Sequence, residues 1–132
     1  MITPFYWPVR VYYEDTDLVG VVYYANYLKF YERARTEWLR AGGFEQDTLR
    51  EEHGIVFVVS QLQVEYQRAA KFNDILRVSC HLQKQSAAAL HFYQVVERTS
   101  DGVQLSEAKV QIVCVDATSF KPKPIPKEMG LM

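Results

Sequence analysis

The chain has 132 residues, of which 48% are hydrophobic and 23% charged, and a formal net charge of −1. This length predicts a single domain over residues 1–132, and the balanced charge excludes both a globally basic nucleic-acid-binding surface and an acidic disordered tail. No apolar run is long enough to span a membrane and the first residues lack the pattern of a signal peptide, so we expect a cytoplasmic protein.

The N-terminal segment predicts a strand followed by a polar loop. The strand extends from Trp7 to Glu14, with Val9, Val11 and Tyr13 on one side. Two aspartates, a threonine and a glycine mark the next residues as a loop that ends near position 22.

From about Tyr24 the hydrophobic period changes to three or four residues, which predicts a long amphipathic helix. The helix ends at Gly42-Gly43, because glycine favours helix termination. A shorter helix is predicted over about residues 45–52, before Gly54. The apolar face of the long helix is predicted to consist of Tyr27, Phe30 or Tyr31, Ala34, Trp38 and Ala41.

The rest of the chain predicts four strands and a tail. Asp101-Gly102 is a strong hairpin signal between the last two strands. Cys80 and Cys114 alternate with aliphatic residues, so we expect both to pack in the core as free thiols. Residues 120–132, with three prolines and three lysines, are predicted to form an extended and partly disordered tail. The predicted strands are Ile55 to Tyr66, Ile75 to Lys84, Leu90 to Arg98 and Gln104 to Asp116.

This order of elements predicts an α+β fold. One long helix covers one face of a curved, five-stranded antiparallel sheet, since four consecutive strands are joined by short turns. No repeat or linker divides the chain. A sheet of this length leaves an open edge, so we expect a dimer or a larger symmetric assembly.

The loop before the long helix carries the residues best suited to chemistry. Asp15 and Asp17 precede a helix N-terminus, where free N–H groups and the helix dipole favour negative charge. Gly20 lets a ligand approach the backbone, and a carboxylate with N–H donors can perform acyl transfer. Spacing alone favours a capping or turn role for these aspartates. A calcium loop is excluded because the later glycine and glutamate are missing.

Residues 13–27, YEDTDLVGVVYYANY, and residues 30–35, FYERAR, resemble the 4-hydroxybenzoyl-CoA thioesterase family of hotdog proteins, most closely its bacterial Tol-Pal-associated acyl-CoA thioesterases. The resemblance extends to VCVD at residues 113–116 and favours a catalytic aspartate over a capping one. It implies a hotdog fold, in which a long helix is wrapped by an antiparallel sheet, with active sites at a homodimer or homotetramer interface. It also implies hydrolysis of acyl-CoA without a metal or bound cofactor.

The same resemblance assigns roles to individual residues. The catalytic aspartate of the family falls on Asp17, as nucleophile or general base, and its carbonyl-polarising backbone N–H falls on Tyr24. The Tol-Pal-associated resemblance implies a short-chain or aliphatic acyl preference. Many of those members have histidine where this chain has Tyr24, and this departure leaves an aromatic preference open. Lys84 would meet the nucleotide phosphates of CoA. The expected substrate-binding residues are Tyr13, Gly20, Ser60, Gln61 and Lys84.

Two other functions stay open. A hotdog dehydratase usually needs a histidine in the active-site loop, and none occurs between Met1 and Glu52. A non-catalytic binding module for acyl-CoA or for acyl carrier protein would keep the pocket without turnover, and an acyl carrier protein is also an alternative carrier of the substrate. The three histidines lack metal-ligand spacing, so no metal site is expected.

Overall fold

The structure, a computed structural model, describes residues 4–130 as one antiparallel sheet and one long helix. The strands are β1 (Tyr6–Arg10), β2 (Ile55–Tyr66), β3 (Ile75–Ser79), β4 (His81–Gln85), β5 (Ala89–Arg98) and β6 (Gln104–Asp116). The helices are α1 (Asn26–Ala41) and the short α2 (Gln46–Thr48), which continues into a π-helical turn (Leu49–His53). The strands follow the spatial order β1-β3-β5-β6-β2, with β4 beside β5.

Helix α1 packs its apolar face on the sheet, as its sequence period predicts, except that Leu39 is buried and the predicted Ala41 is exposed. The Trp38 ring meets the Phe92 ring of β5 edge to face, with centroids 5.1 Å apart. The Gly42 N–H donates to the carbonyls of Trp38 and Leu39, which ends the helix where the sequence predicts. The α+β prediction is therefore confirmed. The buried residues of α1 are Tyr27, Phe30, Tyr31, Ala34, Trp38 and Leu39.

The sheet has six strands instead of five, because the segment predicted as one strand from Ile75 to Lys84 is interrupted at Cys80. At this point the Val95 N–H donates to the Ser79 hydroxyl at 2.9 Å and the Gln94 side-chain amide donates to the Ser79 carbonyl at 3.2 Å, so side chains replace the main-chain bonds to β5. The Cys80 N–H keeps its bond on the β1 side, since it donates to the Phe5 carbonyl at 3.2 Å. Before this point β3 pairs with β1 and β5, whereas beyond it β4 pairs with β5. Side-chain alternation continues across the interruption, since Leu76, Val78, Cys80 and Leu82 are all buried.

The first strand is shorter than the sequence predicts, and the predicted orientation of Tyr13 is wrong. Val9 and Val11 are buried, but β1 ends at Arg10 and the chain turns into a 3-10 turn over Tyr13–Asp15. The turn forms because the Asp15 carboxylate accepts the Tyr12 N–H, at 2.8 Å. The Tyr13 side chain consequently faces outward and is 83% exposed.

The C-terminal segment is anchored to the sheet as far as the structure describes it. Pro122 pairs with Val115, and the Ile125 N–H donates to the Ala87 carbonyl at 2.8 Å. A 3-10 turn covers Lys127–Met129, and both Ile125 and Met129 are buried. The predicted tail is thus tied down through residue 130, while its last two positions lie outside the described residues.

The two cysteines are free and buried, as predicted. Burial raises the pKa of both thiols, because a thiolate would lose its hydration in the core. Cys80 and Cys114 therefore serve as small apolar core residues. No helix of the described part is long and apolar enough to cross a membrane.

A buried polar cluster connects α1 to β5. The Arg35 guanidinium donates to the Gln94 side-chain oxygen at 3.0 Å, and the Gln94 amide donates to the carbonyls of Tyr31 and Ser79. Gln94 is completely buried, so its side-chain amide depends on these groups for its hydrogen bonds. Burial lowers the pKa of Arg35.

Strand β2 forms an open edge of the sheet. Its described pairing is with β6 alone, with a bulge at Ser60, between Val59 and Gln61. Apolar side chains along this strand are largely exposed, among them Val59 (51%) and Leu62 (43%). A long apolar edge strand of this kind is a template for pairing with another chain.

Candidate active site

Residues 16–22 form a tight hairpin, here named the Asp17 hairpin, that precedes α1. Thr16 pairs with Val22, and the Asp17 N–H donates to the Val21 carbonyl at 3.0 Å. The Gly20 N–H donates to the Asp17 carbonyl at 2.9 Å. Gly20 has a φ of +88°, a backbone conformation that residues with a side chain rarely adopt. Gly20 therefore allows the turn to close, and the turn holds the backbone of Asp17 in place.

Asp15 is the structural carboxylate of the pair of aspartates. It is 7% exposed; one of its oxygens accepts the Tyr12 N–H at 2.8 Å, and the other accepts from the Asn26 side chain at 3.3 Å. Its carbonyl accepts the Tyr23 N–H at 2.9 Å. Asp15 therefore joins the end of the first strand to the start of α1.

We expect Asp15→Ala to lower the free energy of unfolding by about 1–3 kcal/mol, because the Tyr12 N–H and the Asn26 amide lose their acceptor in a partly buried place. Urea denaturation of the parent and the variant measures the difference. A loss no larger than that of the exposed Asp47→Ala would contradict the structural role of Asp15.

Asp17, in contrast, is exposed and only partly engaged. One carboxylate oxygen accepts the Val19 N–H at 2.9 Å, which holds the side chain in the turn. The other oxygen has no hydrogen-bond partner in residues 4–130. The neighbouring Tyr24 phenol raises the pKa of Tyr23, and the Asp17 charge adds a smaller effect in the same direction.

The backbone N–H of Tyr24 is the second candidate group. The Tyr23 N–H donates to the Asp15 carbonyl at 2.9 Å, and the Asn26 N–H donates to the Tyr23 carbonyl at 2.8 Å, whereas the Ala25 N–H, like that of Tyr24, has no acceptor among residues 4–130. Within the described chain, no acceptor binds the Tyr24 N–H. This donor lies at the N-terminus of α1, where the helix dipole also favours negative charge.

A cavity of about 250 Å³ adjoins the start of α1. The Tyr66 ring lies 5.9 Å from the Tyr24 ring and 5.3 Å from the Tyr27 ring. The Tyr66 hydroxyl donates to the Tyr24 carbonyl at 2.9 Å and so fixes the first helical turn. Sequence reasoning did not select Tyr66, although its position at the end of the apolar face of β2 was a usable signal. The cavity is lined by Val22, Tyr24, Tyr27, Tyr66, Gln67, Arg68 and Ala69.

The remaining residues selected from the sequence lie on several elements. Tyr13 is exposed at the base of the Asp17 hairpin, edge to face with the Phe72 ring at 6.4 Å. Ser60 donates to the Gln111 carbonyl at the β2 bulge, at 3.2 Å, and Gln61 lines a separate cavity of about 540 Å³. Lys84 is exposed on β4. One chain therefore brings together Asp17, Gly20 and Tyr24, but not the residues of β2 and β4.

Comparison with known proteins gives one family. Residues 11–130 match the family described as Thioesterase-like superfamily. The acyl-CoA thioesterase YbgC of Haemophilus influenzae is 48% identical over 125 residues, covering 95% of this chain and 90% of the relative. The acyl-CoA thioester hydrolase YbgC of Escherichia coli O6:H1 is 45% identical over 127 residues, covering 96% and 93%.

Solved structures agree with the sequence relatives. A probable thioesterase from Bartonella henselae superposes with a TM-score of 0.88 at 31% identity, covering 94% of this chain and all of the other. The order of strands and the long helix of the present structure are therefore those of a thioesterase fold. The chain belongs to the thioesterase-like superfamily of hotdog proteins.

Proposed function

We propose that this chain is an acyl-CoA thioesterase with Asp17 and the Tyr24 N–H as its catalytic groups. The observation that carries the proposal is an exposed carboxylate, oriented in the Asp17 hairpin by the Val19 N–H, together with a backbone N–H that is free of acceptors among residues 4–130. The names of the relatives that cover nearly the whole chain supply the substrate class.

In the proposed reaction the thioester carbonyl accepts a hydrogen bond from the Tyr24 N–H, which stabilises the negative charge that develops on its oxygen. Asp17 then acts in one of two ways. As a nucleophile it displaces the CoA thiolate and forms a mixed anhydride that water hydrolyses; as a general base it takes a proton from an attacking water. Both routes consume one water and yield a free acid and CoA. The thiolate is a good leaving group, so no strong general acid is needed.

The cavity beside Tyr24 supports a small acyl group. Its volume of about 250 Å³ and its tyrosine rings suit a short aliphatic chain and also leave room for a single aromatic ring. CoA is the proposed carrier, with an acyl carrier protein as the alternative. We place the reaction in the cytoplasm, because two free, buried thiols fit a reducing compartment.

A second copy of the chain is proposed to complete the site. The exposed apolar edge of β2 can pair with the same edge of a second chain, which would give a homodimer. Two such dimers could associate into a homotetramer. In that assembly Ser60 and Gln61 of one protomer would line the acyl or pantetheine channel of its partner. The bulge that carries Ser60 gives this part of β2 a distinct backbone path.

A thiol-release assay over short, long and aromatic acyl-CoAs tests the proposed function. We expect release of free CoA, with turnover highest for short acyl groups. Binding of acyl-CoA measured by calorimetry without release of CoA would support the non-catalytic module in its place. An acyl-carrier-protein thioester assayed in parallel identifies the preferred carrier.

Lys84 is proposed to contact the nucleotide phosphates of CoA from its exposed position on β4. We expect Lys84→Gln to raise KM for acyl-CoA about three- to tenfold while kcat stays unchanged, since an exposed ion pair to phosphate is worth roughly 1 kcal/mol. The matched substrate is an acyl-pantetheine, which lacks the nucleotide and should show no change in KM. An equal rise in KM for both substrates would contradict the phosphate contact.

A further inference from the structure

We infer that Tyr27 is a positioning residue, whose hydroxyl holds the Asp17 hairpin and the start of α1 in register through the main chain of Ala70. The inference rests on the proposed function, because it concerns the geometry of Asp17 and the Tyr24 N–H. Tyr27 lies in the first turn of α1, one helical turn after Tyr24. Its ring also lines the cavity beside α1, while its hydroxyl is directed to the protein backbone.

The Ala70 main chain connects the two parts of the site. The Ala70 N–H donates to the Tyr27 hydroxyl at 3.1 Å, and the Ala70 carbonyl accepts the Val22 N–H at 2.8 Å. Tyr27, Val22 and Ala70 are 2%, 5% and 0% exposed, so water cannot easily replace either hydrogen bond. Ala70 therefore links α1 to the Asp17 hairpin, because it binds a residue of each.

Displacement of Val22 would move both catalytic groups. Val22 pairs with Thr16, next to Asp17 on one strand of the hairpin, and it precedes Tyr24 by two residues. The Asp17 N–H also donates to the carbonyl of Val21. A shift of this strand therefore changes the separation between the Asp17 carboxylate and the Tyr24 N–H, on which the rate depends steeply.

The segment that carries Ala70 is itself firmly held. The Arg98 guanidinium donates to the Ala69 carbonyl at 3.1 Å and to the Asp74 carboxylate at 3.2 Å. Lys71 pairs with Val21, which adds a second link between this segment and the hairpin. Ala70 is thus a fixed support for the hairpin, and the Tyr27 hydroxyl connects that support to α1.

Tyr31 offers a matched control on the same helix. It lies one turn further along α1, it is fully buried, and its hydroxyl hydrogen-bonds to the Ser106 hydroxyl at 2.6 Å. Both phenols therefore have one buried hydrogen bond to the rest of the fold. The Ser106 contact leads to β2 through the Glu65 carbonyl and has no bond to the Asp17 hairpin.

The test compares acyl-CoA hydrolysis by Tyr27→Phe and by Tyr31→Phe, each made in the whole 132-residue chain. We expect Tyr27→Phe to lower kcat about tenfold or more, because the Asp17 carboxylate and the Tyr24 N–H lose their relative placement. KM should change less than about twofold, because phenylalanine keeps the ring that lines the cavity. Tyr31→Phe should keep kcat within about twofold of the parent although its melting temperature also falls. Equal kcat for the two variants would overturn the inference.

Arg98→Lys provides a second, independent variant, because lysine keeps the charge but cannot hold Ala69 and Asp74 together. It should also lower kcat with little change in KM. Parent kcat in both Arg98→Lys and Tyr27→Phe would overturn the inference. If Asp17→Asn is inactive in that case, the proposed function still stands; if Asp17→Asn retains the parent rate, the proposed function itself fails.

Discussion

Asp17→Asn is expected to lower kcat about 10³-fold, because the amide can neither attack a thioester nor accept a proton from water at neutral pH. Asparagine keeps the oxygen that accepts the Val19 N–H, so the turn should retain its shape. The free energy of unfolding should change by less than about 0.5 kcal/mol, as for other exposed positions. Steady-state thiol release and urea denaturation measure both quantities on the same samples.

Glu14→Gln is the matched control for this substitution. Glu14 is another exposed carboxylate of the same loop region, three residues before Asp17, and has no hydrogen bond to a described residue. Its neutralisation makes the same change in net charge without touching the hairpin. We expect parent kcat for Glu14→Gln; a comparable loss in both variants would mean that loop charge, and not the Asp17 carboxylate, sustains turnover.

Gln94→Met is expected to be the most destabilising of the substitutions considered, lowering the free energy of unfolding by about 3–5 kcal/mol. Methionine matches glutamine in length, so little cavity forms. The loss arises because the Arg35 guanidinium loses its acceptor and the carbonyls of Tyr31 and Ser79 lose their donor, all in a largely buried place. Urea denaturation followed by circular dichroism measures the change.

The double variant Arg35→Met with Gln94→Met separates the two sources of this loss. Removing the guanidinium as well takes away the buried charge, so stability should recover by about 1–2 kcal/mol relative to Gln94→Met alone. Additive losses in the double variant would show that the charge was well solvated and that the carbonyls account for the whole effect.

Much of the fold follows from periodicity in the sequence. Strands β2 and β6 have the bounds that alternation predicts, and α1 ends at the predicted glycine pair. The interruption at Cys80 was not predictable, because side-chain alternation passes through it unchanged and only the hydrogen-bond partners differ. The orientation of Tyr13 failed for a related reason: the Asp15 carboxylate ends the strand through a hydrogen bond that a hydrophobic pattern does not encode.

The site was less accessible to sequence reasoning than the fold. Spacing could not distinguish Asp15 from Asp17, and the structure does so by burial, since only Asp15 is enclosed and multiply bonded. Tyr66 escaped notice because it reaches the start of α1 from a strand forty-two residues away in the chain. The roles of Ser60, Gln61 and Lys84 stay predictions, because they depend on a second protomer or on bound CoA.

The spatial strand order β1-β3-β5-β6-β2 has a consequence for synthesis on the ribosome. The Asp17 hairpin is synthesised early, but Ala70 and Arg98, which hold it in place, are translated much later. The Tyr31 hydroxyl can likewise form its hydrogen bond only after Ser106 has been synthesised. At roughly 5–20 residues per second, α1 and the apolar β2 stay without their sheet partners for seconds while the nascent chain grows. The proposed catalytic site therefore assembles only after most of the polypeptide has emerged, and chaperone contacts should concentrate on β2 during that interval.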